Sequence, residues 1–494
     1  MPERRFLAFD LGAESGRAVV GTLSDDRLET EEIHRFLNEP VEVHDTRYWD
    51  ILALYNNLLK GMRAYVARHG ENVDGIGIDT WAIDFGLLGE DGHLLENPIM
   101  YRDRRTEGMV EEAAKKMPPE RLAEITGLAV FAIHTFFQML SLRLKRKAFL
   151  DTARTYLMIP DLLGYFLTGE KVCERSNAIT TQLYDPRLGD WSREIFETFD
   201  LPLDIMPPIV DPGTVLGELR ESVCRAVGLR EALVIDGCTH DTGAAVAAVP
   251  ARGDNWAFIS SGTWSIVGSL SDRVVTGPGP YAARTCNELT FGSLILVRNI
   301  MGLWLLQQAR AAWARQGQEY TYAELAALAE QAPAGGPIVY PDDPIFLAPD
   351  DMTAAIAQFC VRTGQAPPEG VPATCRCILE SLALCYRQAL EQIGSFLGRQ
   401  YEVLHIVGGG SQNRPLCQFT ADATGLPVYA GPAEATVAGN ILVQACARGY
   451  LSGPQDVREV VRNSTQLVEH TPRQQAYWDD RYALYLAIYE KSRS

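Results

Sequence analysis

The chain has 494 residues, which is too long for one ordinary hydrophobic core and suits two or three domains. Hydrophobic residues make up 47% of it and charged residues 22%, the balance of a soluble globular protein. The net charge of -18 argues against a general nucleic-acid or anionic-membrane binder. No apolar run approaches the ~20 residues that span a bilayer. A local cationic pocket for one phosphorylated ligand remains compatible with this charge.

The N-terminus and the cysteines predict a cytoplasmic location. Asp10 interrupts the apolar run in MPERRFLAFDLG, which therefore fits a first strand better than a signal peptide. The ten cysteines are scattered without a CxxC pair, and we expect reduced thiols. Metal-binding spacings such as HExxH are absent, which argues against a structural zinc site.

A strand–turn–strand hairpin is predicted at residues 6–23 (FLAFDLGAESGRAVVGTL), where a small polar turn joins two apolar runs. The pattern returns at residues 257–270 (AFISSGTWSIVGSL), about half a chain later. The two hairpins suggest a duplicated fold, although any two such segments resemble each other to some extent. Residues 75–80 (GIGIDT) and 403–410 (VLHIVGGG) predict buried strands, so each half is at least partly α/β.

A helix is predicted at residues 434–449, where apolar residues recur at helical spacing and a glycine ends the run. A second, amphipathic helix is predicted at residues 474–491 (QQAYWDDRYALYLAIYEK). The segment VPARGDN at 249–255 has the composition of a linker. We therefore predict two domains, at residues 1–248 and 249–494.

Three turns have the Gly, Ser and Thr content that can hold a phosphate through backbone N–H and hydroxyl groups. They are residues 12–17 (GAESGR), 260–263 (SSGT) and 408–411 (GGGS). None has the spacing of a Walker A loop, and the first two fit plain hairpin turns equally well. Three consecutive glycines are costly in chain entropy unless something approaches the backbone, so a ligand site is favoured for the third.

Aspartates follow or interrupt apolar runs at four places: Asp10, Asp79, Asp84 and Asp241. Such positions direct side chains into the crevice where α/β proteins bind ligands. A carboxylate there can organise Mg²⁺ through water or accept a proton. The alternative for each is a turn or helix-capping carboxylate, and Asp241 could cap a helix that begins at Gly243. Phosphate-holding turns combined with these carboxylates suggest phosphoryl transfer.

A series of motifs carries a family resemblance: DLGAESGR, IDTWAIDFGLL, YRDRRT, NAITTQL, THDTGAAV, SSGTWS, NIMGLWLLQ and IVGGGSQN. The series extends over residues 6–449 and resembles the rhamnulokinases of the FGGY carbohydrate kinase family. DTWxxDF, SSGTWS and NIMGLW are its most discriminating members. The resemblance implies an α/β fold of two actin-like (ribonuclease-H-like) domains with an interdomain catalytic cleft. The first domain would bind the sugar and the second the nucleotide.

The implied reaction transfers a phosphoryl group from ATP, with Mg²⁺, to the 1-hydroxyl of L-rhamnulose, giving L-rhamnulose 1-phosphate and ADP. By resemblance, Asp241 would be the catalytic base, and Asp10 would lie near the metal, through water. The sugar would contact Trp81, Ala82, Asp84, His240, Thr242 and Asn299. The nucleotide would contact Ala13, Glu14, Ser15, Gly16, Arg17, Thr263, Gln307, Gly408, Gly409 and Gly410. The partners implied are small molecules, and the assembly a monomer or small homo-oligomer.

Three departures from the family pattern bear on the sugar. Ala82 stands where relatives usually have Gly, and His134 where an Asn is common. Asn287 and Glu288 are followed by Leu-Thr rather than the frequent Gly-Gly. A kinase for another ketose, such as xylulose or fuculose, is therefore an alternative. An actin-like ATPase or a phosphatase of the same superfold is another, against which THDTG and DTWxxDF argue.

Overall fold

The computed structural model describes residues 3–493. Its strands are β1 (Arg4–Leu11), β2 (Ser15–Ser24), β3 (Arg27–Leu37), β4 (Val41–Val43), β5 (Thr46–Tyr48), β6 (Gly75–Thr80), β7 (Phe85–Leu88), β8 (Thr155–Met158), β9 (Cys173–Glu174), β10 (Tyr184–Asp185), β11 (Asp190–Trp191), β12 (Ile209–Val210), β13 (Thr214–Glu218), β14 (Leu233–Asp236), β15 (Trp256–Ser261), β16 (Trp264–Ser271), β17 (Thr285–Thr290), β18 (Ser293–Met301), β19 (Val403–Val407), β20 (Val428–Ala430) and β21 (Val468–His470).

The α-helices are α1 (Ile51–His69), α2 (Met109–Ala114), α3 (Pro119–Thr126), α4 (Thr135–Lys145), α5 (Lys147–Leu150), α6 (Ile159–Thr168), α7 (Arg175–Ala178), α8 (Arg193–Phe199), α9 (Glu221–Val227), α10 (Asp241–Ala247), α11 (Pro278–Ala282), α12 (Trp304–Arg315), α13 (Tyr322–Gln331), α14 (Met352–Arg362), α15 (Gly370–Leu397), α16 (Arg414–Thr424), α17 (Ala435–Ala447), α18 (Pro454–Ser464) and α19 (Gln475–Arg493). Within residues 3–493, none of these helices combines the length and apolar character that crossing a membrane requires.

The chain folds into two compact units. The first contains the chain up to Ala248 together with Ser271–Leu296 and Ala435–Ser464. The second contains Val249–Leu270, Val297–Glu434 and the chain from Thr465 onward. Ser271–Leu296 and Ala435–Ser464 belong to the first unit because α17 packs against β1 and β6, and β17 packs against α10. The predicted domains at 1–248 and 249–494 stay a prediction.

The sheet of the first unit has the strand order β13-β14-β6-β1-β2-β3. Strands β1 and β2 form the predicted hairpin, with Asp10 opposite Arg17. Strand β6 lies parallel to β1 and places Asp79 beside Asp10. Because both strands run in the same direction, the two carboxylates lie at the same edge of the sheet.

The sheet of the second unit repeats this arrangement. The strands that lie wholly or partly in this unit follow the order β18-β16-β15-β19-β20-β21. Strand β15 is antiparallel to β16 and parallel to β19, as β1 is to β2 and β6. The repeated pairing confirms the predicted duplicated α/β fold, and both predicted hairpins are present.

Helix α17 covers the sheet of the first unit by close backbone approach. A Cβ at Gly439 would clash with the carbonyl of Ala244 in α10, and one at Gly77 in β6 would clash with the side chain of Asn440. Glycine at 439 therefore lets α17 approach α10, and glycine at 77 lets α17 pack on β6.

Candidate active site

The first predicted phosphate turn joins β1 to β2. The Gly12 N–H donates to the Ser15 carbonyl at 2.9 Å, which closes the turn. Arg17 donates to Oδ2 of Asp10 from Nε (3.0 Å) and from Nη2 (2.8 Å). Burial raises the pKa of Asp10, and the Arg17 guanidinium opposes that shift. Glu14, at the tip of the turn, is exposed.

Asp79 is the most deeply buried carboxylate at this edge of the sheet. Its Oδ2 accepts a hydrogen bond from Asn440, whereas its buried Oδ1 has no hydrogen-bond partner. Burial, followed by the charge of Asp10, raises its pKa well above the usual range. Within residues 3–493, no three His, Cys, Asp or Glu side chains converge to hold a metal directly. Two neighbouring carboxylates with a free oxygen nevertheless fit Mg²⁺, which binds few protein ligands and keeps its waters.

Asp241 lies at the start of α10. Its Oδ1 accepts from the Thr242 N–H (2.6 Å) and from the Thr242 hydroxyl (3.3 Å), and lies 3.2 Å from Nε2 of His240. The Asp241 side chain is 39% exposed. Helix α10 begins at Asp241 with His240 as its N-cap, so the alternative that Asp241 caps a helix starting at Gly243 is wrong.

The charge of Asp241 also contributes to the environment of the other two carboxylates. It raises the pKa of both Asp10 and Asp79. Because electrostatic interactions weaken with distance, these effects on the pKa indicate that Asp10, Asp79 and Asp241 lie near one another in the first unit. The Thr80 N–H donates to the Thr239 carbonyl at 2.9 Å, which ties the end of β6 to the residues before α10.

Asp84 is fully buried and saturated by protein donors. Its Oδ2 accepts from Trp49 Nε1 (2.6 Å), Trp81 Nε1 (3.0 Å) and the Tyr101 N–H (3.2 Å), and its Oδ1 accepts from Gln138 (3.1 Å). Burial raises its pKa to about 6, against the opposing hydrogen bonds. This carboxylate therefore orients the Trp81 indole, which packs on Trp49 with ring centroids 4.3 Å apart.

The segment beside Trp81 has an unusual backbone. Ala82 is half-buried, and Ile83 adopts φ of 70°, a left-handed conformation that is rare for a β-branched residue. The Thr135 hydroxyl holds this conformation by donating to the Ile83 carbonyl at 2.6 Å. His134, one of the departures from the family pattern, is buried beside Gln182, 3.1 Å from Nδ1 to Oε1. Burial lowers the pKa of His134 to about 4, so its imidazole is neutral at pH 7.

In the second unit, the turn between β15 and β16 supports the start of α12. The Leu303 N–H donates to the Gly262 carbonyl, and the Trp304 N–H to the Thr263 carbonyl, each at 3.1 Å. Gln307 follows on the first turn of α12 and is half-buried. Asn299, near the end of β18, has a buried Oδ1 without a hydrogen-bond partner.

The three consecutive glycines after β19 have different surroundings. A Cβ at Gly408 would lie 2.9 Å from the Ser261 carbonyl oxygen, and one at Gly410 would lie 2.5 Å from the Ser261 Cβ. A Cβ at Gly409 would meet nothing within 4 Å. Two of the glycines are therefore required by packing against Ser261, and Gly409 alone presents open backbone.

The predicted residues thus fall into two sets. The first unit holds Asp10, Ala13, Glu14, Ser15, Gly16, Arg17, Trp81, Ala82, Asp84, His240, Asp241 and Thr242, and the second holds Asn299, Thr263, Gln307, Gly408, Gly409 and Gly410. Sequence reasoning missed Asn440 as the partner of Asp79 and Trp49 as a donor to Asp84. It noted Glu288 only as the neighbour of a family departure, whereas Glu288 lies 3.7 Å from His240. No local pattern could have paired residues so far apart in the chain.

Comparison with known proteins shows which protein family the chain matches. Residues 5–248 match the N-terminal domain of the FGGY family of carbohydrate kinases, and residues 257–448 match its C-terminal domain. The chain is 40% identical to a rhamnulokinase of Bacteroides thetaiotaomicron over 481 residues, and the aligned region covers 97% of this chain and 98% of that protein. It is 38% identical over 476 residues to a rhamnulokinase of Enterococcus faecalis, covering 95% of each. The fold resembles that of a gluconate kinase from Lactobacillus acidophilus, with a TM-score of 0.82 over 99% of this chain and 98% of that one, at 16% identity.

Proposed function

This chain belongs to the FGGY family of carbohydrate kinases, and we propose that it transfers the terminal phosphoryl group of ATP to the 1-hydroxyl of L-rhamnulose. The products are L-rhamnulose 1-phosphate and ADP. The observation that carries the proposal is the carboxylate of Asp241, whose Oδ1 is held by protein donors while the side chain remains partly exposed. The choice of sugar rests on the similarity to the two rhamnulokinases.

Asp241 is the catalytic base in this proposal. With its Oδ1 engaged by Thr242 and His240, Oδ2 is left to accept the proton of the sugar hydroxyl as the new O–P bond forms. The bond between the γ-phosphorus and the bridging oxygen breaks, and that oxygen leaves with ADP. Fixing Oδ1 by several hydrogen bonds restricts the rotation of the carboxylate, so that Oδ2 keeps one direction.

The sugar-binding residues proposed in the first unit are Trp81, Ala82, His240 and Thr242. Asp84 acts through Trp81 rather than by direct contact, because it is buried and already accepts four hydrogen bonds. Ala82, next to Trp81 in the chain, adds a methyl group that a glycine would lack. Asn299, whose buried Oδ1 lacks a hydrogen-bond partner, is proposed as a further contact for a sugar hydroxyl.

The nucleotide-binding residues proposed are residues 13–17 in the first unit, and Thr263, Gln307 and Gly408–Gly410 in the second. Gly409 is the most specific of these, because its open backbone can approach a ligand. Arg17 supplies a positive charge beside the first turn, although Asp10 partly neutralises it.

Mg²⁺ is the divalent metal proposed, and when bound it neutralises charge on the phosphate oxygens. Asp10, through water, and the neighbouring Asp79 would hold it. The free Oδ1 of Asp79 supports this assignment. The cytoplasmic location and the monomeric or small homo-oligomeric state stay predictions from the sequence.

The proposal is tested by measuring sugar-dependent ADP release with L-rhamnulose, L-fuculose, D-xylulose and glycerol. We expect L-rhamnulose to give the highest kcat/KM, and Asp241→Asn to lose turnover by about 10²- to 10⁴-fold while still binding ATP and sugar. Asp272→Asn, which removes an exposed carboxylate, is the matched control and should retain wild-type turnover. Preference for another ketose would replace the substrate but keep the reaction. Substantial turnover by Asp241→Asn would exclude Asp241 as the base.

A further inference from the structure

A buried carboxylate lies behind the His240–Asp241 pair. Glu288, in β17, is 5% exposed, and its Oε2 has no hydrogen-bond partner. That oxygen is 3.7 Å from Nδ1 of His240, which is likewise buried without a hydrogen-bond partner. The opposite nitrogen of the same ring, Nε2, is 3.2 Å from Oδ1 of Asp241. His240 therefore lies between two carboxylates, and only Asp241 is substantially exposed.

Strand β17 is fixed on both sides of Glu288. The Thr290 hydroxyl donates to the Gly243 carbonyl of α10 at 2.7 Å. A Cβ at Gly243 would lie 2.7 Å from the Leu289 carbonyl oxygen, so glycine is what lets the strand approach the helix. On the other side, Asn287 Nδ2 donates to the Gly127 carbonyl at 2.7 Å. The side chains of Asn287 and Thr290, on either side of Glu288 in the strand, are therefore held by hydrogen bonds. The carboxylate of Glu288 faces His240.

The electrostatics of the pair support an ion pair between a protonated His240 ring and Glu288, across the 3.7 Å from Nδ1 to Oε2. Burial lowers the pKa of His240, but the hydrogen bond and charge of Asp241, then the charges of Glu288 and Glu174, outweigh burial and raise it overall. Burial raises the pKa of Glu288, and His240 opposes that shift. An imidazolium donates to both carboxylates, whereas a neutral imidazole has one N–H and must choose between them.

We propose that Glu288 is a positioning residue for phosphoryl transfer: it engages Nδ1 of His240, so that Nε2–H donates to Oδ1 of Asp241 and Oδ2 remains directed at the sugar hydroxyl. This inference rests on the proposed function, because it takes Asp241 as the base. Glu288 itself touches neither substrate nor the transferred group in this role. Its effect passes through the orientation and protonation of the His240 ring.

Two variants separate this role from simple packing. Glu288→Leu removes every hydrogen-bonding group, whereas Glu288→Gln keeps an amide that can donate to Nδ1 of a neutral ring. We expect kcat to fall by about 10- to 100-fold in Glu288→Leu and by less than about fivefold in Glu288→Gln, with the sugar KM changed less than about threefold in both. Glu218→Gln, an exposed glutamate of the first unit, is the control and should match the wild type.

The His240 ring is observed directly by ¹⁵N NMR of the sugar-free protein at pH 6.5, with its signals assigned by comparison with His240→Gln. In the wild type we expect both ring nitrogens to be predominantly protonated. In Glu288→Gln we expect the ring to be less protonated than in the wild type, with the proton of the neutral form on Nε2, and in Glu288→Leu we expect it to be less protonated without that fixed preference.

The proposal is overturned if kcat falls while the ring signals stay those of the wild type, or if the ring changes while kcat does not. An unchanged ring and unchanged kcat in both variants would also overturn it. If Glu288→Leu does not fold, the proposal is tested by Glu288→Gln alone, through the ¹⁵N signals of the His240 ring. Activity in Asp241→Asn would instead refute the proposed base, whatever the state of His240.

Discussion

Asn440 donates a hydrogen bond from Nδ2 to Oδ2 of Asp79 at 2.6 Å, joining α17 to the end of β6 across 361 positions of the chain. Gln444, one helical turn later, donates to Oδ1 of Asn440 at 2.7 Å. Gly77 in β6 makes room for this pair, since a Cβ there would clash with both side chains. The candidate active site of the first unit therefore depends on a helix that enters the unit late in the sequence.

Replacing Asn440 tests how much this bond stabilises the first unit. Asn440→Ala leaves the buried carboxylate of Asp79 without its donor, and the hydrogen bond that lowers the pKa of Asp79 is lost. We expect the free energy of unfolding to decrease by about 1–3 kcal/mol, as measured by urea denaturation. The control is Asn463→Ala, which removes an exposed amide bonded to Asp26 at 2.8 Å. A control effect as large as that of Asn440→Ala would contradict the argument from burial.

Much of the fold followed from local patterns. The hairpins β1–β2 and β15–β16 and the buried strands β6 and β19 were predicted because apolar runs and turn residues mark them in the sequence. The helix predicted at 434–449 is observed as α17, Ala435–Ala447. Its place beside β1 and β6 was not predictable, since the packing depends on Gly77 and Gly439 meeting residues far away in the chain.

The residue types at the candidate site were easier to predict from the sequence than the role of each residue. The glycines at 408–410 suggested a ligand near the backbone, yet Gly408 and Gly410 are explained by Ser261. Asp84 was expected to contact the sugar, but the donors that bury it, Trp49 among them, come from distant segments. Hydrogen-bond saturation and burial are tertiary properties, which a motif does not carry.

The glycines after β19 offer a matched pair of substitutions. Gly410→Ala forces a methyl group against Ser261, and we expect a loss of about 1–3 kcal/mol in the free energy of unfolding from overpacking. Gly409→Ala meets no protein atom and should change stability by no more than about 0.5 kcal/mol. In Gly409→Ala we expect a higher KM for ATP with an unchanged sugar KM, measured by steady-state kinetics. Unchanged ATP kinetics would remove Gly409 from the nucleotide site.

Asp84 should affect the sugar through Trp81. Asp84→Asn removes the charge of a carboxylate that accepts hydrogen bonds from two indole N–H groups. It also replaces one carboxylate oxygen, Oδ1 or Oδ2, with an amide nitrogen, which cannot accept a hydrogen bond. We expect the sugar KM to rise by about tenfold and the ATP KM to stay constant, since a displaced positioning group costs about 1–2 kcal/mol. Asp91→Asn, at an exposed turn, is the control. Equal effects on the two substrates would point to general destabilisation instead.

A second group of buried carboxyls gives the first unit a pH-dependent stability. Asp236, at the end of β14, is buried with its Oδ2 unbonded. Burial, followed by the charge of Glu174, raises the pKa of Asp236 to about 8. In the unfolded chain the same group titrates near pH ~3.9. Between these values the folded protein holds a proton that the unfolded chain has released, so the stability from this group is full below about pH 4 and is lost as the pH rises through about 8.

Asp236→Asn should remove this dependence, because the amide resembles the protonated carboxyl in shape and does not ionise. We expect the variant to be modestly more stable than the wild type at pH 5 and considerably more stable at pH 8. The difference in unfolding free energy should grow with pH by up to about 1.4 kcal/mol per unit. Urea denaturation at pH 5, 6, 7 and 8 measures this slope, with Asp254→Asn showing the effect of removing one exposed charge. If the difference in unfolding free energy between the variant and the wild type does not change with pH, Asp236 does not titrate in this window. The charge of Glu174 would then be compensated only by the hydrogen bonds that Ser176 and Thr239 donate to it.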